Sequence, residues 1–350
     1  MLSNLSKRFS GLDQAFRTNL STGLDTVLFA EALEQADSVC IVASGNSAYP
    51  AYYLQLLLNR MQNIPPVFCK TPLEYLLEAP RHAHVCMLVS YSVKNIDSNA
   101  VVEFCRKNGT ALFLLTGVHS TSLPAVQTVV DDYGAGHVFT AVLGSLEKGF
   151  VSILGTTALF ALSLSLACSL GLELHSSAQD MGFPESVRSD NAIKPLHGNR
   201  MVLHGPLGRP AALALAGLHT ETISPLMTYD LKNVTHGVWR SLQDNGPYSL
   251  YVLRDTATAP LADFVMGKLG QTHQCIVIQN ESSAMDWPFE AIGLYASALD
   301  AYGSACVEKR ERDPKWNPLF VNMDDYESCK GLISQFSMLD LVSSDWMERG

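Results

Sequence analysis

The sequence predicts an α/β protein in which two doubly wound parallel sheets follow one another along the chain. Three observations carry this expectation. Short apolar runs alternate with amphipathic helical stretches; the alternation stops across a polar segment at 173–200 holding Pro184, Pro195, Gly182 and Gly198, then restarts; and 350 residues exceed what one hydrophobic core ordinarily organises. The expected layout is an N-terminal helical segment at 1–24, a first domain at 25–172, a connection at 173–200, a second domain at 201–305, and a C-terminal tail and helix at 306–350.

Taken in order, helix is expected at about 10–35, then strands at 38–43, 66–69, 85–90, 111–116 and 138–142, with helices between them. The stretch 150–172 carries no charge and meets the length of about 20 residues that a membrane span needs. Ser152, Thr156, Thr157, Ser163, Ser165 and Ser169 interrupt it, and no Lys or Arg cluster flanks its end, so the expectation is a helix buried in a core or against a partner subunit, and no membrane contact. In the second half, strands are expected near 201–204, 248–253 and 274–278, and 229–235 reads as an irregular loop.

Composition excludes some classes of function. The formal charge is −10, and Lys and Arg are scattered, which argues against nucleic acid, whose binding needs basic patches to displace counterions. The eight cysteines (40, 69, 86, 105, 168, 275, 306 and 329) contain no Cys-x-x-Cys pair and sit mostly in apolar runs, as buried free thiols of a reducing compartment do. His197 and His204 lack ligand spacing and read as loop histidines, so neither a metal nor a cofactor is expected. Residues 1–21 mix Lys7, Arg8, Asp13 and Arg17 with apolar residues and do not resemble a signal peptide; a cytoplasmic location is expected.

The chemistry concentrates where apolar strands empty into hydroxyls. Ser90-Tyr91-Ser92-Val93-Lys94-Asn95-Ile96-Asp97 follows an apolar run and precedes a helical stretch, and Ala43-Ser44-Gly45-Asn46-Ser47 repeats the arrangement after 38–42. The free N–H groups and positive dipole end of a first helical turn attract an anion there, and Ser and Asn add neutral donors. Helix capping alone is the plainer reading of Ser90, Ser92 and Asn95. Two such turns on neighbouring parallel strands would converge on one sheet edge, which favours a bound phosphate.

With Glu147-Lys148-Gly149-Phe150-Val151-Ser152, these segments resemble the three phosphosugar-binding segments of a SIS (sugar isomerase) domain, as in the isomerase half of glucosamine-6-phosphate synthase and in related deglycases and amino-sugar-phosphate isomerases. Ser90, Ser92, Asn95 and Asp97 match the family's Ser-x-Ser-Gly-x-Thr-x-Asp; Val93 stands where the family has Gly, and Asn95 where it has Thr. Leu154 stands where many members have a lysine. The resemblance implies a tandem pair of flavodoxin-like SIS domains, with Leu203-His204-Gly205-Pro206-Leu207-Gly208 as the first loop of the second.

The resemblance also implies phosphate binding by Ser47, Ser90, Ser92, Asn95 and Ser152, and catalysis by Glu221, His236 and Lys315. Isomerisation needs the ring opened, a proton lifted beside the carbonyl and the enediol charge stabilised, which a carboxylate and a histidine can do. Glu221 lies in the helix where the family carries its base, although an alternative register puts Thr222 there and His219 in place of a lysine. His236, followed by a conformationally free Gly237, resembles the ring-opening histidine; Lys315 is the lysine nearest the family's Schiff-base position in the Pro-punctuated segment 312–319. No cysteine near the start serves as the nucleophile of a glutamine-hydrolysing half, so none is expected. The implied partners are a phosphorylated sugar or amino-sugar and further copies of the chain, as a homodimer or dimer of dimers. A non-catalytic sugar-phosphate sensor and a phosphoglucose-type isomerase are the alternatives.

Overall fold

The structure, a computed structural model, describes residues 2–78, 83–117, 123–143, 152–175, 183–184, 199–244, 247–280 and 287–316. Nine strands among them form two all-parallel sheets in two compact units.

The first-sheet unit comprises the described residues of Gln14–Lys148 and Leu154–Glu173. After α1 (Leu2–Phe9), which groups with the other unit, come α2 (Leu12–Leu20) and α3 (Val27–Glu34), then β1 (Ser38–Ala43), α4 (Ala48–Leu58), β2 (Val67–Lys70), α5 (Pro72–Glu78), β3 (His84–Val89), α6 (Ile96–Asn108), β4 (Ala111–Thr116), α7 (Pro124–Tyr133), β5 (Val138–Thr140) and α8 (Ile153–Ser169). The strands lie in the order β2-β1-β3-β4-β5. Their side chains alternate between two buried clusters. Val39, Ile41, Val85, Met87, Phe113 and Leu115 face one, and Cys40, Val42, Cys86, Leu88, Leu112 and Leu114 face the other. A sheet covered on both faces explains why these strands read as continuous apolar runs. Each fully buried Val, Leu or Phe adds about 1.5–3 kcal/mol.

The helix expected at 10–35 is broken. Ser21 and Thr22 hydroxyls donate to Thr18 O and end α2, and Asp25 Oδ1 accepts from Val27 N–H (3.2 Å) to start α3. The uncharged stretch is α8, buried on nearly every side, with Ala158, Leu159, Leu162 and Leu166 in the first-sheet core and Phe160 against Tyr53. No helix of the described residues is long and apolar enough to cross a membrane.

The second-sheet unit comprises the described residues of Met1–Asp13, Gly149–Ile153 and Leu174–Val321. It contains β6 (Asn199–His204), α9 (Arg209–Thr222), β7 (Met227–Asp230), α10 (Leu231–Asn233), α11 (Trp239–Asp244), β8 (Tyr248–Leu253), α12 (Ala259–Leu269), β9 (Gln274–Ile278) and α13 (Trp287–Arg312). The order β7-β6-β8-β9 repeats that of the first four strands. Residues 229–235 are therefore not a loop: they hold the end of an edge strand, the short α10 and the start of a π-helical turn, Val234–Val238. β7 was hidden because its residues are exposed or only half-buried, so no apolar alternation marks it. Among the described residues the cysteines are free thiols, with Cys40, Cys86, Cys105 and Cys306 buried, and no group of side chains could hold a metal ion.

In the first-sheet unit, fully buried Asn19 pins the chain beyond β5. Its amide donates to Val142 O (2.8 Å) and Ala15 O (2.7 Å), and its Oδ1 accepts from Val142 N–H (2.6 Å). Asn19→Ala should lower stability by about 1–3 kcal/mol, because it strands the Val142 N–H without a partner. Urea unfolding of the variant reads this directly, and an unchanged midpoint contradicts it.

Candidate functional site

The first sheet reverses its strand order between β1 and β3, and the junctions leaving those strands meet there. Ser47, at the start of α4, accepts a hydrogen bond at Oγ from Tyr91 N–H (3.1 Å), linking two turns 44 residues apart. Ser90 Oγ accepts from Val93 N–H (3.2 Å) and from the Ser98 hydroxyl (3.4 Å). A hydroxyl has one donor and two acceptor lone pairs, so accepting leaves the O–H free to give. Half-buried Ser92 has no hydrogen-bond partner among the described residues. Three hydroxyl donors therefore remain for an acceptor from outside the chain at this edge.

Tyr91 also anchors the turn to β4: its carbonyl accepts from Gly117 N–H and from the Thr116 hydroxyl (both 3.1 Å). A Cβ on Gly117 would collide with the Tyr91 ring, so only glycine fits there. Gly45 takes a left-handed φ of 55°, and a Cβ on it would meet nothing within 4 Å, so this side of the junction is open. Asn95 is exposed and is the N-cap of α6, its Oδ1 accepting from Asp97 N–H (3.1 Å). Capping thus describes what Asn95 does within the chain, whereas Ser90 and Ser92 do not cap α6. Burial lifts the Asp97 carboxyl above its ordinary value, against the Asn95 hydrogen bond. Of the third segment, residues 147–151 lie outside the described residues; Ser152 is half-buried directly before α8.

Val93, at the family's glycine position, keeps a glycine-like conformation. Its φ is 49°, in the left-handed region that β-branched residues avoid, while its side chain is 1% exposed in the core beside Val101 and Leu114. Burial of the isopropyl group holds the strained backbone in place.

In the second-sheet unit, Glu221 and Thr222 close α9. Thr222, at the alternative base position, is fully engaged: its hydroxyl donates to Leu218 O (2.6 Å) and meets Tyr302 OH (3.0 Å), and its carbonyl accepts from Trp316 Nε1 (2.8 Å). Glu221 is half-buried, with Oε2 shielded from solvent. His236 and Gly237 are exposed on the π-helical turn, and Gly237 has no positive φ, so its expected unusual backbone is absent. The Lys315 side chain is exposed just beyond α13, and residues 317–319 of the Pro-punctuated segment lie outside the described residues. The side chains of His236 and Lys315 make no hydrogen bond among the described residues.

His219, which the alternative register puts in place of a lysine, takes a buried position within α9. His219 is fully buried between Tyr251 (Nε2 to OH, 3.4 Å) and the Tyr302 ring; burial, reinforced by the Arg200 charge, pushes its pKa down from 6.5 to about 3.

Two measurements follow. At Val93 the usual order of small residues reverses: Val93→Gly should be more stable than Val93→Ala by about 1 kcal/mol, since both lose the buried side chain but only glycine relaxes the backbone. Denaturant unfolding that ranks alanine above glycine refutes the left-handed turn. For His219, the unfolded chain takes up a proton near pH 6.5 and the folded chain only near pH 3, so stability falls as pH drops through that window. The stability advantage of wild type over His219→Phe should shrink below pH 6.5 at up to about 1.4 kcal/mol per pH unit; a pH-independent difference contradicts a buried neutral imidazole.

No protein-family profile and no curated protein sequence matches the chain. Solved structures do. A protein from Silicibacter pomeroyi with a provisional phosphosugar-isomerase assignment matches with TM-score 0.63 at 18% identity, over 90% of this chain and 99% of that one. The C-terminal domain of glucosamine-fructose-6-phosphate aminotransferase from Francisella tularensis matches with TM-score 0.61 at 14% identity, over 88% and 94%. Tagatose-6-phosphate ketose/aldose isomerase from Escherichia coli matches with TM-score 0.61 at 13% identity, over 86% and 92%. The chain has the fold of the SIS-type sugar isomerases.

Proposed function

We propose that this protein binds a ketose or amino-sugar 6-phosphate and acts on it as an isomerase, deaminase or deglycase. The phosphate-binding turns belong to the 25–172 domain and the catalytic groups to the 201–305 domain and its tail. The observation that supports this best is the Ser47 Oγ to Tyr91 N–H hydrogen bond, which joins two strand-to-helix turns while the Ser47, Ser90 and Ser92 hydroxyls stay free to donate. Neutral donors beside a helix N-terminus suit a phosphate dianion, because they stabilise its charge without adding a fixed cation. In this reading Ser47, Ser90, Ser92, Asn95 and Ser152 are the residues that receive the phosphate.

The reaction itself needs little apparatus. His236 carries the proton of the anomeric hydroxyl to the ring oxygen as the ring opens; Glu221 removes the proton next to the carbonyl, the electron pair passes to the carbonyl oxygen as an enediolate, that oxygen takes up the proton which the neighbouring hydroxyl gives up, and Glu221 returns its proton to the former carbonyl carbon. Lys315 is the candidate to meet the open-chain carbonyl. The protein works in the cytoplasm as a homodimer or dimer of dimers.

A specific observation favours a second reading, a non-catalytic sugar-phosphate sensor. Thr222 is locked into the packing of α9, and His236 and Lys315 are exposed without side-chain hydrogen bonds among the described residues. Thermal shift and turnover with fructose 6-phosphate, glucosamine 6-phosphate and a fructosamine 6-phosphate decide between the two. A shift with turnover that Glu221→Gln abolishes is expected for the enzyme, a shift without turnover identifies the sensor, and no shift with any of them removes both. Ser92→Ala should weaken binding by about 1–3 kcal/mol, and equal affinity overturns the placement of the phosphate.

A further inference from the structure

The two sheets share a strand order, so their switch points can be compared residue by residue. Ala43 pairs with Val89 at the end of β1 and β3, and His204 pairs with Leu253 at the end of β6 and β8. Counting three residues beyond Val89 reaches Ser92; counting three beyond Leu253 reaches Thr256. Ser92 and Thr256 are therefore positional counterparts, each a hydroxyl in the turn before a helix.

Their surroundings are opposite. Ser92 has no partner among the described residues, and Gly45, in the turn that Ser47 ties to Tyr91, faces open space. Thr256 donates its N–H to Glu290 Oε1 (2.6 Å) and its hydroxyl to Glu290 Oε2 (2.7 Å). Next to it, Asp255 Oδ1 accepts from both the N–H (2.7 Å) and the hydroxyl (2.6 Å) of Thr258, the N-cap of α12. Across the switch point the β6 turn is pressed against this one, since a Cβ on Gly205 would collide with Asp255 Oδ2 and Thr258. Both carboxylates are enclosed: Asp255 is 0% and Glu290 5% exposed, and Asp255 Oδ2 has no hydrogen-bond partner among the described residues. Asn280 Nδ2 donates to Glu290 O (3.0 Å) and helps fix the first turn of α13 in position.

We propose that Glu290 is a built-in stand-in for a phosphate: the second sheet keeps an anion cradle, and the chain fills it with its own carboxylate. Two carboxylate oxygens take the N–H and O–H donors that two phosphate oxygens would take, beside the N-terminal end of α12. Asp255 adds a second negative charge that repels a dianion. The second-sheet unit thus admits no sugar phosphate, and its cradle serves to hold the first turn of α13 to the turn that follows β8.

The test reads the Thr256 amide resonance in the full-length chain, titrated with inorganic phosphate against chloride at matched ionic strength. Phosphate should leave Thr256 unmoved in wild type and in Glu290→Gln, which keeps the cradle filled. The double variant Glu290→Ala with Asp255→Asn should bind phosphate at Thr256 at least about tenfold more tightly than wild type. A wild-type Thr256 that responds to phosphate overturns the proposal, as does a folded double variant that does not respond. If the double variant fails to fold, Glu290→Ala alone is titrated in its place: a Thr256 shift with phosphate and not chloride is expected, and a folded single variant that stays silent overturns the proposal. The outcome does not depend on Ser92, whose own resonance reports separately on the reading above.

Discussion

The hydrogen bond between Tyr91 N–H and Ser47 Oγ is the contact that ties together the two junctions at the first-sheet unit's switch point. A parallel sheet sends all its carboxyl-end turns to one edge, and where the strand order reverses two of them separate from their neighbours and leave a crevice. Without a tie across it, each turn would satisfy its own N–H groups by local bonds or water. With the tie, Tyr91 N–H is consumed by an acceptor lone pair of Ser47, and the hydroxyl hydrogen is released for other use. The same logic holds at Ser90, which accepts from Val93 N–H and Ser98.

That arrangement carries a backbone cost at Val93. A left-handed β-branched residue persists only where the surroundings over-determine it, and here the surroundings are the core residues that enclose its side chain. Glycine would reach the same φ freely but leave the turn less constrained. The chain thus substitutes side-chain burial for glycine's freedom, linking the hydrophobic core to the turn that holds Ser92.

Duplication of a sheet does not duplicate its use. Both sheets place a hydroxyl three residues past the strand beside the switch point, yet one hydroxyl lies free and the other is bound by Glu290 from α13. The difference comes from residues far apart in sequence: 34 positions separate Thr256 from Glu290. α9 shows the same effect, since Thr222 is held by Tyr302 and Trp316, both supplied from the far end of the unit.

By itself the sequence determined the strand-and-helix alternation, because strands buried on both faces are apolar throughout and helices between them are not, as 38–43, 111–116 and 248–253 illustrate. It also marked the hydroxyl-rich turns, whose Ser and Asn residues are chemically conspicuous. It did not show β7, whose exposed edge lacks a pattern, or the break between α2 and α3, which depends on side-chain hydrogen bonds near Gly23. Only the tertiary structure decided that Ser47 meets Tyr91, that Val93 is left-handed, and that Thr256 is occupied while Ser92 is not. Those facts depend on which distant groups share an edge, and a hydrogen bond is fixed by distance and angle in space, which a linear order of residues does not contain.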